Sequence, residues 1–174
     1  PPTMKNIFKI IVLGITTLAV GCTRSDTQVS NPKFQKRLQW LLRHNVPEIA
    51  VPEVKQLDNT VYLDARSKEE YDISHVENAV WVGYDEFDIN KVPAIDTSQN
   101  IIVYCSVGYR SEKIANKLED AGYKNVYNLY GGLFEWYNEG LPVVKEDKPT
   151  NKIHSYNENW SQWVNEREKG DAVW

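Results

Sequence analysis

One cysteine lies where a buried strand is expected to run into a helix. Cys105 directly follows residues 101–104, a short apolar run that is typical of a buried strand. From Ser111 onward, apolar residues recur at the spacing of one helix face, and Gly122 stands where a C-terminal cap would lie. The sequence therefore predicts a thiol at the carboxyl end of a strand, on a short loop that leads into a helix N-terminus.

Such a position favours the ionised form of the thiol. The first amides of a helix lack partners within the helix, and the helix dipole makes that end positive. Gly108 allows the loop to aim further amides at the sulfur, and Arg110 adds a permanent positive charge. We therefore expect the pKa of Cys105 to lie below the free value of about 8.5. The alternative is that Cys105 only fills the strand, as many buried cysteines do.

The segment around this thiol resembles the rhodanese-like domains. The loop Cys-Ser-Val-Gly-Tyr-Arg-Ser, residues 105–111, is similar to their active-site loop. Upstream, residues 61–66 are similar to the strand-Asp-x-Arg signature of the family. Residues 70–79 are similar to its Glu-Tyr-x-x-Gly-His-Ile-x-Gly-Ala signature, although Ser74 and Asn78 occupy the two glycine positions.

The resemblance continues downstream of the thiol. Gly131, Gly132 and Trp136 are similar to the Gly-Gly-x-x-x-Trp ending of the family, and Gly-Leu-Pro-Val follows at residues 140–143. These motifs occur in the family's order over residues 51–144, so the resemblance is specific. Both departures, at Ser74 and Asn78, fall away from the thiol and concern a turn.

The resemblance implies a fold and an activity. The fold is α/β, a parallel sheet flanked by helices on both faces, which agrees with the alternation of predicted strands and helices. The activity is sulfur transfer through a persulfide on Cys105, from a small donor (thiosulfate or a persulfide) to a thiol or cyanide acceptor. No cofactor or metal is implied. The substrate would be bound by the remaining loop residues: Ser106, Val107, Gly108, Tyr109, Arg110 and Ser111.

Asp64 and Arg66 follow another predicted strand, at the edge where open α/β sheets place functional residues. We expect Asp64 to hold a loop by hydrogen bonds and Arg66 to pair with a nearby acid such as Glu70, so that both would support the site without touching the substrate. His75 could act as a base, because Cys–His pairs are common in nucleophilic catalysis. The resemblance places His75 in a structural turn instead.

Two other functions remain open at this stage. Phosphatases and arsenate reductases use a Cys-x5-Arg loop, whereas Arg110 follows Cys105 as Cys-x4-Arg, and Tyr104 replaces the His that often precedes the phosphatase cysteine. A membrane-tethered binding module that has kept the fold without turnover is the other alternative. Incubation with thiosulfate separates it from an enzyme, because only a reactive thiol gains a sulfur.

The amino end predicts an export signal. Residues 1–3 precede Met4, the expected natural start, and are interpreted as a remnant from upstream of it. The signal is assigned to residues 1–21, with this remnant included. Two lysines precede the mostly apolar residues 10–20, a run too short to span a bilayer comfortably. Small residues then lead to Cys22, in a pattern that resembles a bacterial lipoprotein signal.

Cys22 is therefore the expected lipidation site. The protein would be exported and held in the cell envelope by its lipid, facing the periplasm or the cell exterior. A plain secretory signal and a retained membrane anchor are the alternatives. With Cys22 modified, Cys105 would be the single remaining thiol of the two cysteines, so we expect neither a disulfide nor a cysteine-rich zinc site.

The charge restricts the partners. The chain has a formal charge of -4, and residues 1–21 carry two lysines and no acid, so the processed chain would carry -6. Neither value favours a nucleic acid or an anionic membrane face, and no basic stripe is present. Attachment to a membrane would therefore depend on the lipid. The sequence identifies no protein partner.

The chain divides into four predicted parts. After the signal, residues 22–50 form a tether and a helix that begins at Asn31 and Pro32 and ends near Asn45. The rhodanese-like domain follows over residues 51–145. Residues 146–174 are expected to form a C-terminal helical extension, with a charged exit over 145–150 and a helix over 157–169 that carries tryptophans on one side.

Overall fold

The computed structural model describes residues 27–165, 172 and 173, so the predicted signal and Cys22 lie outside the described residues. The helices are α1 (Pro32–Leu41), α2 (Val51–Val54), α3 (Lys68–Ile73), α4 (Tyr109–Asp120), α5 (Gly132–Asn138) and α6 (Glu158–Ser161). The strands are β1 (Glu48–Ile49), β2 (Thr60–Asp64), β3 (Val80–Trp81), β4 (Asn100–Tyr104), β5 (Val126–Leu129), β6 (Val143–Lys145), β7 (Lys148–Thr150), β8 (Ile153–His154) and β9 (Ala172–Val173). In this described part, no helix is both long and apolar enough to cross a membrane.

A five-stranded parallel sheet forms the centre of the domain. Its strand order is β1-β5-β4-β2-β3, so β4 lies in the middle with a neighbour on each side. Thr60 to Asp64 of β2 pair in register with Asn100 to Tyr104 of β4. Cys105 therefore leaves the sheet from its central strand, at the carboxyl edge where parallel sheets hold their ligands.

Helices cover both faces of this sheet. Side chains of β4 alternate between two cores, with Ile102 and Tyr104 in one and Ile101 and Val103 in the other. The first core includes residues of α1 and α5, and the second includes Ile114, Ala115 and Leu118 of α4. The expected α/β fold, a parallel sheet flanked by helices, is thus confirmed.

The first helix is part of the domain and not a free tether. The side chain of Asn31 caps α1 by accepting hydrogen bonds from the amides of Lys33 and Phe34. Phe34 and Leu38 are fully buried in the core that α5 also contacts. The N-terminal helix therefore closes one face of the sheet.

The end of α1 differs from the prediction. The helix stops at Leu41 and not near Asn45. The amides of Arg43 and His44 instead donate to the carboxylate of Glu112 in α4, at 3.0 and 2.6 Å. The chain then forms β1, which pairs with β5 at the sheet edge, so the sheet also uses residues before 51.

The segment expected to be a charged exit forms a hairpin. β6 and β7 pair antiparallel, with Lys145 opposite Lys148. Glu146 and Asp147 connect them with φ of 47° and 59°, and positive φ at both central residues is the requirement of a type I′ turn. A run of charged residues can thus form the turn of a β-hairpin when its two middle residues adopt left-handed backbone conformations.

The predicted helix over 157–169 is wrong for most of its described length. A helix begins after Asn157, which caps it, but α6 covers only Glu158–Ser161. The carbonyl of Trp163 accepts a hydrogen bond from the Asn138 side chain at 2.8 Å, and the Trp163 ring stacks on Phe34 with 5.4 Å between centroids. These contacts with α5 and α1 hold the chain in a turn where the prediction has a helix.

Candidate active site

Cys105 lies at the bottom of a pocket above the carboxyl edge of the sheet. Its side chain is buried, and the pocket above it has a volume of about 590 Å³. Residues 105–111, called the Cys105 loop below, leave β4 and enter α4. Gly108, with φ of 108°, is the N-cap of α4, which begins at Tyr109 and not at Ser111 as predicted.

The loop surrounds the sulfur with donors. The amide of Gly108 lies 3.1 Å from Cys105 Sγ. Burial by itself raises the pKa of Cys105, but the charge of Arg110 and the hydrogen bonds from Ser111 and from the Val107 amide outweigh burial and lower that pKa. A thiolate in this position is a nucleophile that the loop stabilises before any substrate arrives.

Helix α5 fixes the loop from below. The amides of Leu133 and Phe134 donate to the carbonyls of Cys105 and Ser106, at 2.8 and 3.1 Å. A Cβ on Gly132 would lie 2.4 Å from the Cys105 carbonyl oxygen, so only glycine permits this approach. Gly132, part of the glycine pair in the family's ending motif, thus allows the loop to pack closely on α5.

Asn128 fixes the loop from the side, and sequence reasoning missed it. Ser111 Oγ donates to Asn128 Oδ1 at 2.7 Å, and Asn128 Nδ2 donates to the Gly108 carbonyl at 3.1 Å. Asn128 is fully buried on β5. A polar amide within an otherwise buried strand was the signal, because such a group needs partners.

Arg110 contacts an acid as well as the thiol. Its guanidinium binds the Glu70 carboxylate at 2.6 and 2.8 Å, and it also donates to Ser106 Oγ at 3.0 Å. Ser106 Oγ in turn donates to Glu70 at 2.8 Å. The hydrogen bonds and charge of Arg110, with smaller effects of Arg66 and Ser106, outweigh burial and lower the pKa of Glu70 to about 2. Glu70 therefore stays ionised beside the loop.

Arg66 pairs with a nearby acid, as expected, but that acid is Asp64 and not Glu70. Arg66 is fully buried and binds Asp64, with 2.6 Å between Nη2 and Oδ2, because the two residues flank the same strand end. It also donates to the Ser74 carbonyl at 2.6 Å. Its guanidinium carbon lies 5.7 Å from the ring centre of Tyr104, the residue that directly precedes Cys105. Asp64 and Arg66 thus lie behind the loop and not along the pocket.

His75 has structural contacts, but it lies in an isolated β-bridge and not in the turn that the resemblance implied, which falls at residues 77–78. Its ring stacks on Tyr71 with 3.8 Å between centroids, and its Nδ1 lies 2.9 Å from the Tyr71 carbonyl. Its backbone pairs with Val144 of β6. Neither His75 nor Tyr71 lines the pocket of Cys105.

The pocket mouth combines loop residues with others that the sequence did not single out. Of the loop residues expected to bind substrate, Ser106, Val107, Tyr109 and Arg110 line it, whereas Gly108 and Ser111 do not. The Lys113 ammonium lies 3.9 Å from the Tyr109 ring centre. The remaining lining comes from outside the loop: Leu41, Ser67, Glu70, Tyr84, Asp85, His154, Tyr156 and Trp160. Within residues 27–165 and 172–173, no three metal-ligating side chains cluster as a metal site.

The comparisons with known proteins agree on the domain. The family model described as Rhodanese-like domain matches residues 51–139, about half of the chain. A curated relative, tRNA uridine(34) hydroxylase of Yersinia pestis (strain Pestoides F), is 36% identical over 94 residues. The match covers 49% of this chain but only 26% of that protein, so the chain spans about a quarter of its length.

Solved structures agree with the fold. A rhodanese-related protein from Thermoplasma volcanium superposes with a TM-score of 0.52 at 24% identity, over 58% of this chain and 100% of that one. Thiosulfate sulfurtransferase from Pseudomonas aeruginosa gives a TM-score of 0.51 at 24% identity, over 68% of this chain and 23% of that one. On the family match, the chain belongs to the rhodanese-like domain family.

Proposed function

We propose that the chain is a sulfurtransferase that carries a sulfane sulfur on Cys105. The observation that carries the proposal is the buried thiol with a lowered pKa, at the bottom of an open pocket and 3.1 Å from the Gly108 amide. Family membership and the likeness to a thiosulfate sulfurtransferase support it. The relative named tRNA uridine(34) hydroxylase matches over only 26% of its own length, so the activity of that whole protein gives this proposal no support.

The proposed reaction has two balanced steps. The Cys105 thiolate attacks the outer sulfur of a donor, a Cys105 Sγ–S bond forms, and the donor S–S bond breaks with its electron pair leaving on the donor fragment. A thiolate or cyanide then attacks the outer sulfur of the persulfide. The Sγ–S bond breaks and its electron pair returns to Cys105 as thiolate.

The loop would stabilise the charge on the outer sulfur. The amides that surround Sγ are fixed by α5 and Asn128, so they need no rearrangement when charge appears. Arg110 contributes a cation, but Glu70 already binds it on two nitrogens. We therefore expect thiosulfate, a dianion, to be a weaker donor than a persulfide with an uncharged organic body.

A transfer assay tests this proposal. The full chain, its Cys22→Ser variant and its Cys105→Ser variant are each incubated with inorganic polysulfide or thiosulfate and with cyanide, and thiocyanate is measured. Thiocyanate formation above the protein-free rate in the first two proteins, and at the protein-free rate in Cys105→Ser, supports the enzyme. Equal transfer by Cys105→Ser overturns the mechanism, and no transfer by any protein favours the membrane-tethered binding module.

The cell-envelope location stays a proposal that rests on the sequence alone. Cys22 would carry the lipid, and the chain would face the periplasm or the cell exterior. Fatty-acid labelling in a diderm bacterium, seen in the parent and lost in Cys22→Ala, supports this location. An unlabelled parent that is cleaved at another residue contradicts it.

A further inference from the structure

The wall of the Cys105 pocket comes partly from outside the matched domain. Four lining residues, Leu41, His154, Tyr156 and Trp160, precede or follow the segment that matches the family model, residues 51–139. Three of them belong to the C-terminal segment around β8 and α6. Segments outside the matched domain therefore shape what can reach the thiol.

Tyr156 is the residue of this wall with an unusual backbone. Its φ of 70° lies in the left-handed region, and 52% of its side chain is exposed. Its amide donates to His154 Nδ1 at 3.0 Å, and the preceding Ser155 amide donates to the Val173 carbonyl at 2.7 Å. A bulky residue in that region costs about 1–3 kcal/mol and is often retained where it serves a function. Here the conformation holds a large ring at the mouth of the pocket.

The Tyr156 ring covers Arg110. The guanidinium carbon of Arg110 lies 5.4 Å from the Tyr156 ring centre, while its nitrogens bind Glu70 and Ser106. Trp160 continues the wall and is fixed by Arg37 of α1, whose guanidinium carbon lies 5.6 Å from the Trp160 ring. Aromatic rings that are held in place present flat apolar surface to a ligand at little entropic cost.

The charges at the pocket disfavour anions. The lining has two carboxylates, Glu70 and Asp85, and one guanidinium, Arg110. Burial, the largest effect, and the positive charges of Arg66 and Arg110 lower the pKa of His154, so its ring is neutral at neutral pH. A neutral or weakly polar substrate avoids the repulsion that a dianion would meet at this mouth.

We propose that Tyr156 and Trp160 determine the acceptor, and that they select thiols with an uncharged organic body that packs on their rings. The proposal rests on the sulfur transfer proposed above and names its acceptor class. The pocket volume of about 590 Å³ is ample for such a body and far exceeds what cyanide needs. In the transfer, the acceptor thiolate bonds the outer sulfur, the Sγ–S bond breaks, and Cys105 regains its electron pair.

Competing acceptors test the inference on the full chain with Cys22→Ser, in which Cys105 is the single cysteine. Cys105 is first loaded with inorganic polysulfide, and mass spectrometry confirms the added sulfur. Single-turnover rates are then measured with benzyl mercaptan, which carries a ring, and with 2-mercaptoethanol, which does not. The readout is the ratio of the two rates in each variant.

The variants separate the effect of the Tyr156 ring from the effect of the positive φ at that residue. Tyr156→Gly removes the ring and tolerates the positive φ, and it should lower the ratio about tenfold, as Trp160→Ala should. Tyr156→Phe keeps the ring and should keep the ratio. Trp40→Ala removes an aromatic side chain that is 83% exposed on α1 and does not line the pocket, so it serves as the matched control.

The outcomes are distinguishable. A lower ratio in Tyr156→Gly and Trp160→Ala, with Trp40→Ala unchanged, supports the inference. An unchanged ratio in Tyr156→Gly, or an equal fall of both rates, overturns it while the sulfurtransferase proposal stands. Failure of the parent to gain sulfur in the loading step overturns the proposed function, and this inference with it.

Discussion

Arg110 binds Glu70 through two guanidinium nitrogens, at 2.6 and 2.8 Å, although the residues lie 40 positions apart. Glu70 belongs to α3, where its carboxylate also accepts from the Ser67 amide at 3.1 Å. The pair therefore fixes the Cys105 loop to the N-terminus of α3. Because the Glu70 carboxylate offsets its positive charge, Arg110 attracts an anionic substrate less strongly than an unpaired arginine would.

Replacing Arg110 should slow transfer. Arg110→Ala removes a charge-assisted contact worth about 1.5–3 kcal/mol, which corresponds to one to two orders of magnitude in the transfer rate. Arg110→Lys should recover only part of the rate, because an ammonium cannot bind Glu70 with two parallel hydrogen bonds. Single-turnover rates of the folded variants check this, and equal rates for all three proteins would show that Arg110 is only structural.

Replacing Glu70 should change the acid dependence of stability. The pKa of Glu70 in the folded protein is about 2, below the ordinary 4.5. The ionised carboxylate therefore contributes its full stabilisation of the fold above about pH 4.5, and this stabilisation is lost as the pH falls toward 2. Glu70→Gln should lower the free energy of unfolding at pH 7 by about 1.5–3 kcal/mol and flatten the decline below pH 4.5. Denaturant unfolding across this pH range measures both effects.

Asp72 provides the control for Glu70. It lies on the same helix and binds Lys68, but both side chains are at least half exposed. Asp72→Asn should therefore change stability little, because exposed ion pairs contribute little. Equal losses in Glu70→Gln and Asp72→Asn would contradict the assigned role of the buried pair.

The thiol should ionise at lower pH than a free cysteine. Burial opposes ionisation, but the charge of Arg110 and the hydrogen bonds from Ser111 and Val107 outweigh it, so the pKa of Cys105 is lowered. In the Cys22→Ser chain, the rate of alkylation by iodoacetamide should inflect at a lower pH than that of N-acetylcysteine measured in parallel. An inflection at or above the free thiol's would show that the loop does not stabilise the thiolate.

Local sequence signals predicted the structure around the thiol well, but they predicted the contacts between distant segments poorly. The apolar run before Cys105 predicted the strand and the loop after it, and Gly122 predicted the end of α4. Both features depend on residues that are adjacent in the sequence. The partner of Arg110 was not predicted, since Glu70 comes close only when α3 packs beside the loop. The spacing of residues along the sequence does not show which distant side chains will pair in the folded chain.

The C-terminal segment shows the same limit. Its tryptophans have helical spacing, but Trp163 stacks on Phe34 and its carbonyl bonds Asn138, so tertiary contacts override the local preference. The position of Tyr156 over Arg110 depends on this path of the chain and could not be read from the sequence. Asn128 is different, because a polar residue in a buried strand was a visible sign of a structural role.

Gly132 should tolerate no side chain. A Cβ there would lie 2.4 Å from the Cys105 carbonyl oxygen, whereas a Cβ on Gly140 would meet nothing within 4 Å. Both glycines have positive φ, 58° and 82°, so Ala at either position carries the backbone penalty of about 1–2 kcal/mol. Thermal unfolding should show Gly132→Ala to be clearly less stable than Gly140→Ala, and equal midpoints would contradict the close packing of the loop on α5.

Intact-protein mass spectrometry tests the central claim most directly. After incubation with inorganic polysulfide and removal of excess donor, the Cys22→Ser chain should gain one sulfur atom, located on Cys105 by peptide mapping and released by dithiothreitol. The chain with both Cys22→Ser and Cys105→Ser should gain none. A parent chain that stays unmodified, or a sulfur that remains when Cys105 is replaced, would contradict the account.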